Sequence, residues 1–338
     1  MRWDGTTPPT RQPAWRTYLR IFSGVVVYGH WRQAIKRHRG SPVFLVVSHH
    51  HISRDYMINA IRKTYGAKAV CFIHDLIPID YPEYCGPGSE AHHRRRIDNV
   101  ARNFDAAIVN SETTADSLRT YLREHPDLSA SRLDIRTAFL GVRAFRVPNG
   151  AAVAPSNRPY FVMLATIEPK KNHLMILNLW ARLATTMNTP PQLKVIGARG
   201  WDNEQIVDML ERSRRLRGLV FECGLLDQEE VGREFKDARA ILVPSLVEGF
   251  GLPLAEALAS GIPAICSDIP AFREIGRDVP EYLDPLDLFG WMNIVQEYSR
   301  PDSPQRAAQV QRLANWRAPT WEDHFKTVGR LLEDLDTC

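Results

Sequence analysis

The sequence lacks the long apolar runs that membrane-spanning proteins carry. Its longest candidate is IFSGVVVY at 21–28, whereas a membrane helix needs about 20 apolar residues. The N-terminal stretch MRWDGTTPPT holds an acid and two prolines in place of the apolar core of a signal peptide. These absences predict a cytoplasmic protein, with any membrane contact peripheral and at the inner face of the cytoplasmic membrane.

Cysteine is scarce and scattered. The five cysteines stand at 71, 85, 223, 266 and 338, an odd number with no CxxC spacing. This pattern argues against a disulfide framework and against a zinc site. The sequence also has no recognised nucleic-acid-binding motif, so nucleic acid is not an expected partner.

The length of the chain indicates how many domains it forms, and its charge distribution indicates what kind of partner it binds. The chain has 338 residues, 44% of them hydrophobic, which suits two domains of about 150 residues each. Residues 1–150 hold 22 Lys and Arg against 13 Asp and Glu, whereas the remainder holds 21 against 26. A basic first half favours an anionic partner such as a membrane surface or a lipid pyrophosphate, or it is a solvated basic face.

Short apolar runs typical of strands alternate with helical patterns along most of the chain. One series begins at VFLVVS (43–48) and a second at PYFVMLA (159–165), with the Pro-containing segment 147–159 as the best linker candidate. Apolar strands with helical crossovers predict parallel sheets covered on both faces. The predicted fold is α/β, with two doubly wound Rossmann-like domains, 1–150 and 151–319, facing a central cleft.

The richest chemical pattern is VEGFGLPLAEALASG at 247–261. It follows the apolar run AILVP and predicts a loop and then a helix, with Pro253 near the first turn, where proline is tolerated. Glu248 falls on the loop and Glu256 about one turn into the helix. Glycines let backbone N–H groups approach a ligand closely, and a helix N-terminus favours negative charge, so a diphosphate could bind there. A carboxylate on each side could accept hydrogen bonds, one from sugar hydroxyls and the other from ribose hydroxyls. An ordinary strand–loop–helix with a surface glutamate explains the residue types equally well.

The stretch EGFGLPLAE, followed by ASGIPAICS (259–267), resembles the E-x7-E signature of family-four retaining glycosyltransferases, which have the GT-B fold. FIHDLIPIDYPEY (72–84) resembles the histidine-bearing loop of bacterial mannosyltransferases of surface-polysaccharide assembly. AIVNSE (107–112) is similar to the family's strand-then-serine segment, and YFVMLATIEPKKNH (160–173) to its donor-phosphate segment. The resemblance covers about residues 40–335.

The resemblance implies a role for each matching residue. Glu248 would contact donor-sugar hydroxyls, Glu256 would hold the nucleotide ribose, and His74 would lie near the donor sugar and its phosphate. Lys171 would bind the donor diphosphate, where an ammonium offsets charge on the leaving group; Lys170 is the alternative. Further donor contacts are expected from Gly249, Phe250, Gly251, Leu252 and Thr166, the last of which stands where many relatives carry an arginine.

Candidates for the acceptor side lie in the basic first domain. Three adjacent histidines, 49–51, cannot all ligate one metal from an extended backbone, since alternate side chains point apart. His50 is therefore expected at the acceptor mouth, and no metal site is expected. The run Arg94, Arg95 and Arg96 is expected to face the acceptor or an anionic membrane, or to be a solvated helix face. Ser111 and Glu112 are better suited to capping a helix than to touching substrate.

Both chain ends bear on the fold. Family members open with a strand and a glycine-rich loop, whereas this chain opens with MRWDGTTPPTRQPAW, so the first strand is missing or rebuilt. The amphipathic segment 320–338 is expected, by analogy with GT-B proteins, to cross back to the N-terminal domain.

The resemblance thus implies a retaining, metal-independent glycosyltransferase. It would move a hexose from a nucleotide sugar, GDP-mannose in preference to UDP-glucose, to a carbohydrate or lipid-linked acceptor in surface-polysaccharide or lipopolysaccharide biosynthesis. No cofactor is expected, because Lys171 and helix N–H groups can replace a divalent cation and DLIPID (75–80) is not a DxD metal motif. The alternatives are a sugar-nucleotide epimerase and a catalytically silent partner that binds a nucleotide sugar.

Overall fold

The structure, a computed structural model, describes residues 42–128, 133–145 and 158–337. The N-terminal segment, for which the sequence predicted a missing or rebuilt first strand, lies outside these residues. So do most of the candidate linker and the predicted domain boundary at residue 150. No helix among the described residues is long and apolar enough to cross a membrane.

The described part of the N-terminal domain is built on a parallel sheet with the strand order β1-β2-β3-β4. Helices cover both faces of this sheet, so that β2 and β3 are buried over nearly their whole length. The elements are β1 (Val43–Val46), α1 (His49–Ile52), α2 (Asp55–Tyr65), β2 (Lys68–Ile73), α3 (Ile77–Asp80), a 3-10 helix (Pro82–Tyr84), α4 (Ser89–Asn103), β3 (Ala106–Val109), α5 (Glu112–Glu124) and β4 (Asp134–Thr137).

The C-terminal domain has a larger parallel sheet with the order β10-β9-β8-β5-β6-β7. The chain builds one half outward from β5 and then returns to build the other half from β8. The elements are β5 (Tyr160–Leu164), a 3-10 helix (Pro169–Lys171), α6 (His173–Thr186), β6 (Gln192–Ile196), α7 (Glu204–Arg212), β7 (Val220–Gly224), α8 (Gln228–Lys236), β8 (Ile241–Val243), α9 (Leu252–Ala259), β9 (Ala264–Ser267), α10 (Pro270–Gly276), β10 (Glu281–Leu283), α11 (Leu288–Ser299), α12 (Pro304–Leu313) and α13 (Trp321–Thr337).

Strand β5 shows that this sheet is covered on both faces. Its residues alternate between two apolar cores, with Tyr160 and Val162 in one and Phe161 and Met163 in the other, because successive strand side chains point to opposite faces. The run PYFVMLA is therefore almost continuously apolar. The predicted α/β class and the strands named at 43–48 and 159–165 are confirmed, while β10 was not predicted.

The last helix packs on the N-terminal sheet although it follows the C-terminal domain in sequence. Leu331 and Leu335 of α13 are buried in a cluster with residues of β2 and β3. His324 Nδ1 lies 3.1 Å from each of the carbonyl oxygens of Ala138 and Phe139. The helix therefore joins the C-terminal half of the chain to the N-terminal core.

Candidate functional site

The strand order reverses between β5 and β8, and ligands of open parallel sheets bind outside the carboxyl ends of strands at such a point. The loops that follow these two strands, 165–172 and 244–251, lie side by side. The Leu246 N–H donates to the Lys170 carbonyl at 2.8 Å. Residues far apart in sequence are thereby brought to one edge of the sheet.

Lys171 and Glu248 form the centre of this edge. Lys171 Nζ contacts Glu248 Oε1 at 2.5 Å, and both side chains are largely buried. The Ser245 hydroxyl, itself buried, donates to the same carboxylate oxygen at 2.8 Å. This carboxylate is thus fixed by an ammonium from one loop and a hydroxyl from its own loop.

Lys170 is bound separately. Its ammonium lies 3.3 Å from Glu168 Oε1, and Glu168 is buried. Burial opposes the charge of Lys170, but the nearby carboxylates of Glu168, Asp75 and Glu248 outweigh this effect and raise the pKa of the lysine. The cleft therefore holds two ammonium groups, each with its own carboxylate partner.

Glu256 lies one turn into α9 and is half-buried. Desolvation raises the pKa of its carboxyl to about 7. No hydrogen bond to this carboxyl is found among the described residues. Lys171 contacts Glu248 and not Glu256, so the two motif glutamates have different electrostatic surroundings.

The glycines of the motif loop allow two close approaches. A Cβ on Gly249 would lie 2.6 Å from the His74 carbonyl oxygen, so the loop presses against the N-terminal domain there. Gly251 precedes α9 with φ of +93°, and a Cβ would lie 2.7 Å from the Phe272 ring. Phe250 is buried in the core, which leaves its backbone for a ligand, and Leu252 is exposed at the helix start.

His74 follows β2 and faces this loop from the N-terminal domain. Its ring is exposed and lies 4.9 Å from the ring of His49 and 4.8 Å from that of Phe72, measured between centroids. Desolvation lowers the pKa of His74, and the charge of Asp75 opposes the shift. The shift therefore favours the neutral imidazole.

The structure describes the acceptor-side candidates only in part. The backbone of His50 belongs to α1, and its side chain lies outside the described part of the structure. Arg95 is exposed, whereas Arg94 pairs with Glu90 at 3.0 Å. The Arg96 side chain is half-buried and one of its terminal nitrogens lies 3.5 Å from His93 Nδ1. Neighbouring helix residues point about 100° apart, so the three arginines of this run leave the helix in three different directions. Whether the run faces an acceptor or a membrane stays a prediction.

Thr166 is exposed at the carboxyl end of β5, beside the loop that follows β6. The loop that follows β6 carries one basic residue close to Thr166, Arg199. The backbone of Arg199 forms a single parallel β-bridge with Ile167. Arg199 is bound by Glu211 and Glu222 at 2.8 Å each. It is therefore engaged away from Thr166, and the two lysines of the 3-10 helix supply the positive charge of this edge.

Sequence reasoning missed two residues that fix the charged groups. Glu168 stands two positions before Lys170, and Ser245 stands three positions before Glu248. Neither spacing is a recognised motif, so the signal was only that both residues follow a strand at the predicted edge. Among the described residues, no group of three or more His, Cys, Asp or Glu side chains is placed to hold a metal ion.

The family model described as glycosyl transferases group 1 matches residues 150–279. The serotype-specific mannosyltransferase WbdA of Escherichia coli is 26% identical over 260 residues, which cover 70% of this chain and 31% of WbdA. The O-antigen chain mannosyltransferase B of Escherichia coli is 25% identical over 267 residues, covering 76% of this chain and 68% of that protein. The chain thus spans less than a third of the length of WbdA.

Among solved structures, sucrose-phosphate synthase from Thermosynechococcus elongatus superposes with a TM-score of 0.65 at 19% identity, covering 98% of this chain and 82% of that one. TarM superposes with a TM-score of 0.62 at 14% identity, covering 86% and 54%. At such identities the likeness concerns the fold alone. It confirms the predicted GT-B architecture of two Rossmann-like domains.

Proposed function

We propose that this GT-B chain, whose residues 150–279 match the group 1 glycosyl transferases, is a retaining mannosyltransferase of surface-polysaccharide or lipopolysaccharide assembly. The observation that carries the proposal is the Lys171–Glu248 pair at the point where the strand order reverses, on a loop that packs against the backbone of His74 from the other domain. Mannose is favoured as the transferred sugar because the similar proteins WbdA and mannosyltransferase B are mannosyltransferases.

In this proposal the donor lies with its ribose at Glu256, its diphosphate at the start of α9 and its sugar at Glu248. Glu248 accepts hydrogen bonds from sugar hydroxyls. Lys171, held against that carboxylate, offsets the charge that grows on the leaving diphosphate. Backbone N–H groups at the helix start add to this stabilisation, so the proposed reaction proceeds without a divalent cation or another cofactor.

We further propose front-face transfer. The acceptor hydroxyl attacks the anomeric carbon on the side of the leaving group, the bond to the phosphate oxygen breaks with its electron pair, and that phosphate takes the acceptor proton. Glu248 is already bound by Lys171 and Ser245, which suits it to positioning the sugar rather than to forming a glycosyl-enzyme bond. The proposed acceptor is a carbohydrate, free or lipid-linked.

Nucleotide release from a panel of donors tests the proposal. Incubation with GDP-mannose should release GDP, slowly alone and faster with a bacterial membrane fraction as acceptor source, whereas UDP-glucose should be turned over less. NMR of the product should show the donor's anomeric configuration. An absence of turnover with every donor, with and without membranes, would instead indicate a silent nucleotide-sugar-binding protein.

Glu248→Gln tests the site assignment. The change keeps the size of the side chain and removes the charge that holds Lys171, so transfer should fall about 100-fold or more while the protein remains folded. Glu211→Gln is the matched control, because Glu211 also pairs with a basic residue, Arg199, but on the exposed surface. Equal activity of Glu248→Gln and the wild type would refute the assigned role.

A further inference from the structure

The N-terminal end of α5 is bound by the other domain. The first N–H groups of a helix have no partner within it, and here the Ser111 side chain accepts the N–H of Thr114. The two N–H groups before it are bound by Glu274 of α10. The carboxylate oxygens of Glu274 accept the Glu112 N–H at 2.6 Å and the Thr113 N–H at 3.1 Å. The Thr113 hydroxyl donates to the same carboxylate at 3.0 Å.

The same helix end also contacts the loop that carries Glu248. The Ser111 hydroxyl donates to the Gly249 carbonyl oxygen at 2.5 Å, and the Thr114 hydroxyl does so at 3.3 Å. Ser111 and Thr114 are both buried. Gly249 is the residue after Glu248, so these two hydroxyls of the α5 end hold the backbone next to that carboxylate.

We propose that Glu274 is an interdomain positioning residue, which docks the α5 N-terminus on the C-terminal domain and thereby sets the position of the Glu248 loop. A carboxylate on two helix N–H groups and a hydroxyl forms charge-assisted hydrogen bonds and also interacts favourably with the helix dipole. Glu274 is half-buried, so solvent ions screen this contact less than a surface pair.

Helix α10 provides its own comparison. Arg273, the residue before Glu274, pairs with Asp268 at 2.7 Å within the C-terminal domain. It lies on the same helix and makes a charged contact of similar length, yet among the described residues no hydrogen bond or ion pair joins it to α5. Removing Arg273 therefore perturbs α10 without removing the interdomain contact.

Amide hydrogen exchange at Glu112 and Thr113 tests the contact in solution. Because no bond within α5 protects these two N–H groups, their protection reports Glu274 directly. Glu274→Ala should speed their exchange at least tenfold, and Glu274→Gln, which keeps the size and one acceptor oxygen, should have a smaller effect. Arg273→Ala should leave both rates unchanged. Unchanged rates in Glu274→Ala would overturn the proposal.

The effect on catalysis rests on the proposed function and is measured separately. Glu274→Ala should lower kcat about tenfold with little change in the affinity for nucleotide, because the residues proposed to bind nucleotide lie in the C-terminal domain. Glu274→Asp should recover part of the rate. Faster amide exchange with unchanged kcat would refute the positioning role. Absence of wild-type turnover would refute the proposed function while leaving the exchange result intact.

Discussion

At the scale of single residues, the cleft is defined by carboxylates in contrasting surroundings. Glu248 and Glu168 each have an ammonium partner, whereas Glu256 has none among the described residues. Removing the charge of one member of a buried pair leaves the other charge uncompensated, which costs several kcal/mol. A glutamine at Glu248 is a gentler probe than an alanine because it keeps the size of the side chain and an acceptor oxygen for Lys171. A donor that brings a diphosphate and several hydroxyls can bind both kinds of group.

The pKa of Glu256 predicts how stability depends on pH. A carboxyl whose folded-state pKa is raised to about 7 stabilises the fold fully below its ordinary pKa of 4.5, and this contribution is lost as the pH rises through 7. Glu256→Gln should therefore unfold at the same urea concentration as the wild type near pH 4.5. At pH 8 it should be more stable by about 1–2 kcal/mol, a value reduced for partial exposure.

The control for this experiment is Glu229→Gln, on an exposed carboxylate in the first turn of α8. It should show no such gain between pH 4.5 and pH 8. A wild type and a Glu256→Gln variant whose stabilities change in parallel with pH would contradict the raised pKa. Nucleotide added at pH 8 should shrink the difference, since ribose hydroxyls would hydrogen-bond the ionised carboxylate.

At the scale of elements, the start of α9 depends on a residue without a Cβ. Gly251 has φ of +93° and packs against the fully buried Phe272 ring. This packing holds the helix N-terminus next to the Glu248 loop. Positive φ is available to glycine at little cost, whereas other residues lose about 1–2 kcal/mol there.

Gly251→Ala should therefore lose about 3 kcal/mol, from backbone strain together with overpacking against Phe272. Gly261→Ala is the matched control: its φ is +76° but no atom lies within 4 Å of the added Cβ, so it should lose only about 1 kcal/mol. Urea unfolding measures both values. Equal losses in the two variants would show that the contact with Phe272 has no energetic weight.

At the scale of the whole molecule, α13 makes the N-terminal core depend on the far end of the chain. Leu331 is fully buried in a cluster with Val70, Ala106 and Ile108. Gly141 is equally tied to this helix, because a Cβ there would lie 2.3 Å from the Trp321 ring. The two domains are therefore joined by the chain crossing near 141–145 and by this returning helix.

Leu331→Ala should destabilise the protein by about 2–5 kcal/mol, because it leaves a cavity under β2 and β3. Amide exchange should locate the loss in Lys68–Ile73 and Ala106–Val109 rather than in the C-terminal sheet. Glu333→Ala, two positions away on an exposed face, should change stability by less than about 0.5 kcal/mol. Faster exchange confined to the C-terminal domain would show that α13 does not stabilise the N-terminal core.

Much of this architecture was determined by local pattern. Continuous apolar runs at β2, β3 and β5 are dictated by burial on both faces, and their alternation with helical periodicity specifies a parallel sheet. Pro253 and the glycines around it place the start of α9, and with it the separation of Glu248 on a loop from Glu256 on a helix. These features depend on residues within a few positions of each other.

The partners of the charged groups were decided only by the tertiary structure. Lys171 and Glu248 are 77 residues apart in sequence, and Thr113 and Glu274 are 161 apart. Their contacts depend on the order in which strands join the sheet and on how the two domains meet. Neither leaves a local trace in the sequence, because hydrogen-bonded strand pairing and domain packing select partners by position in space, not by spacing along the chain.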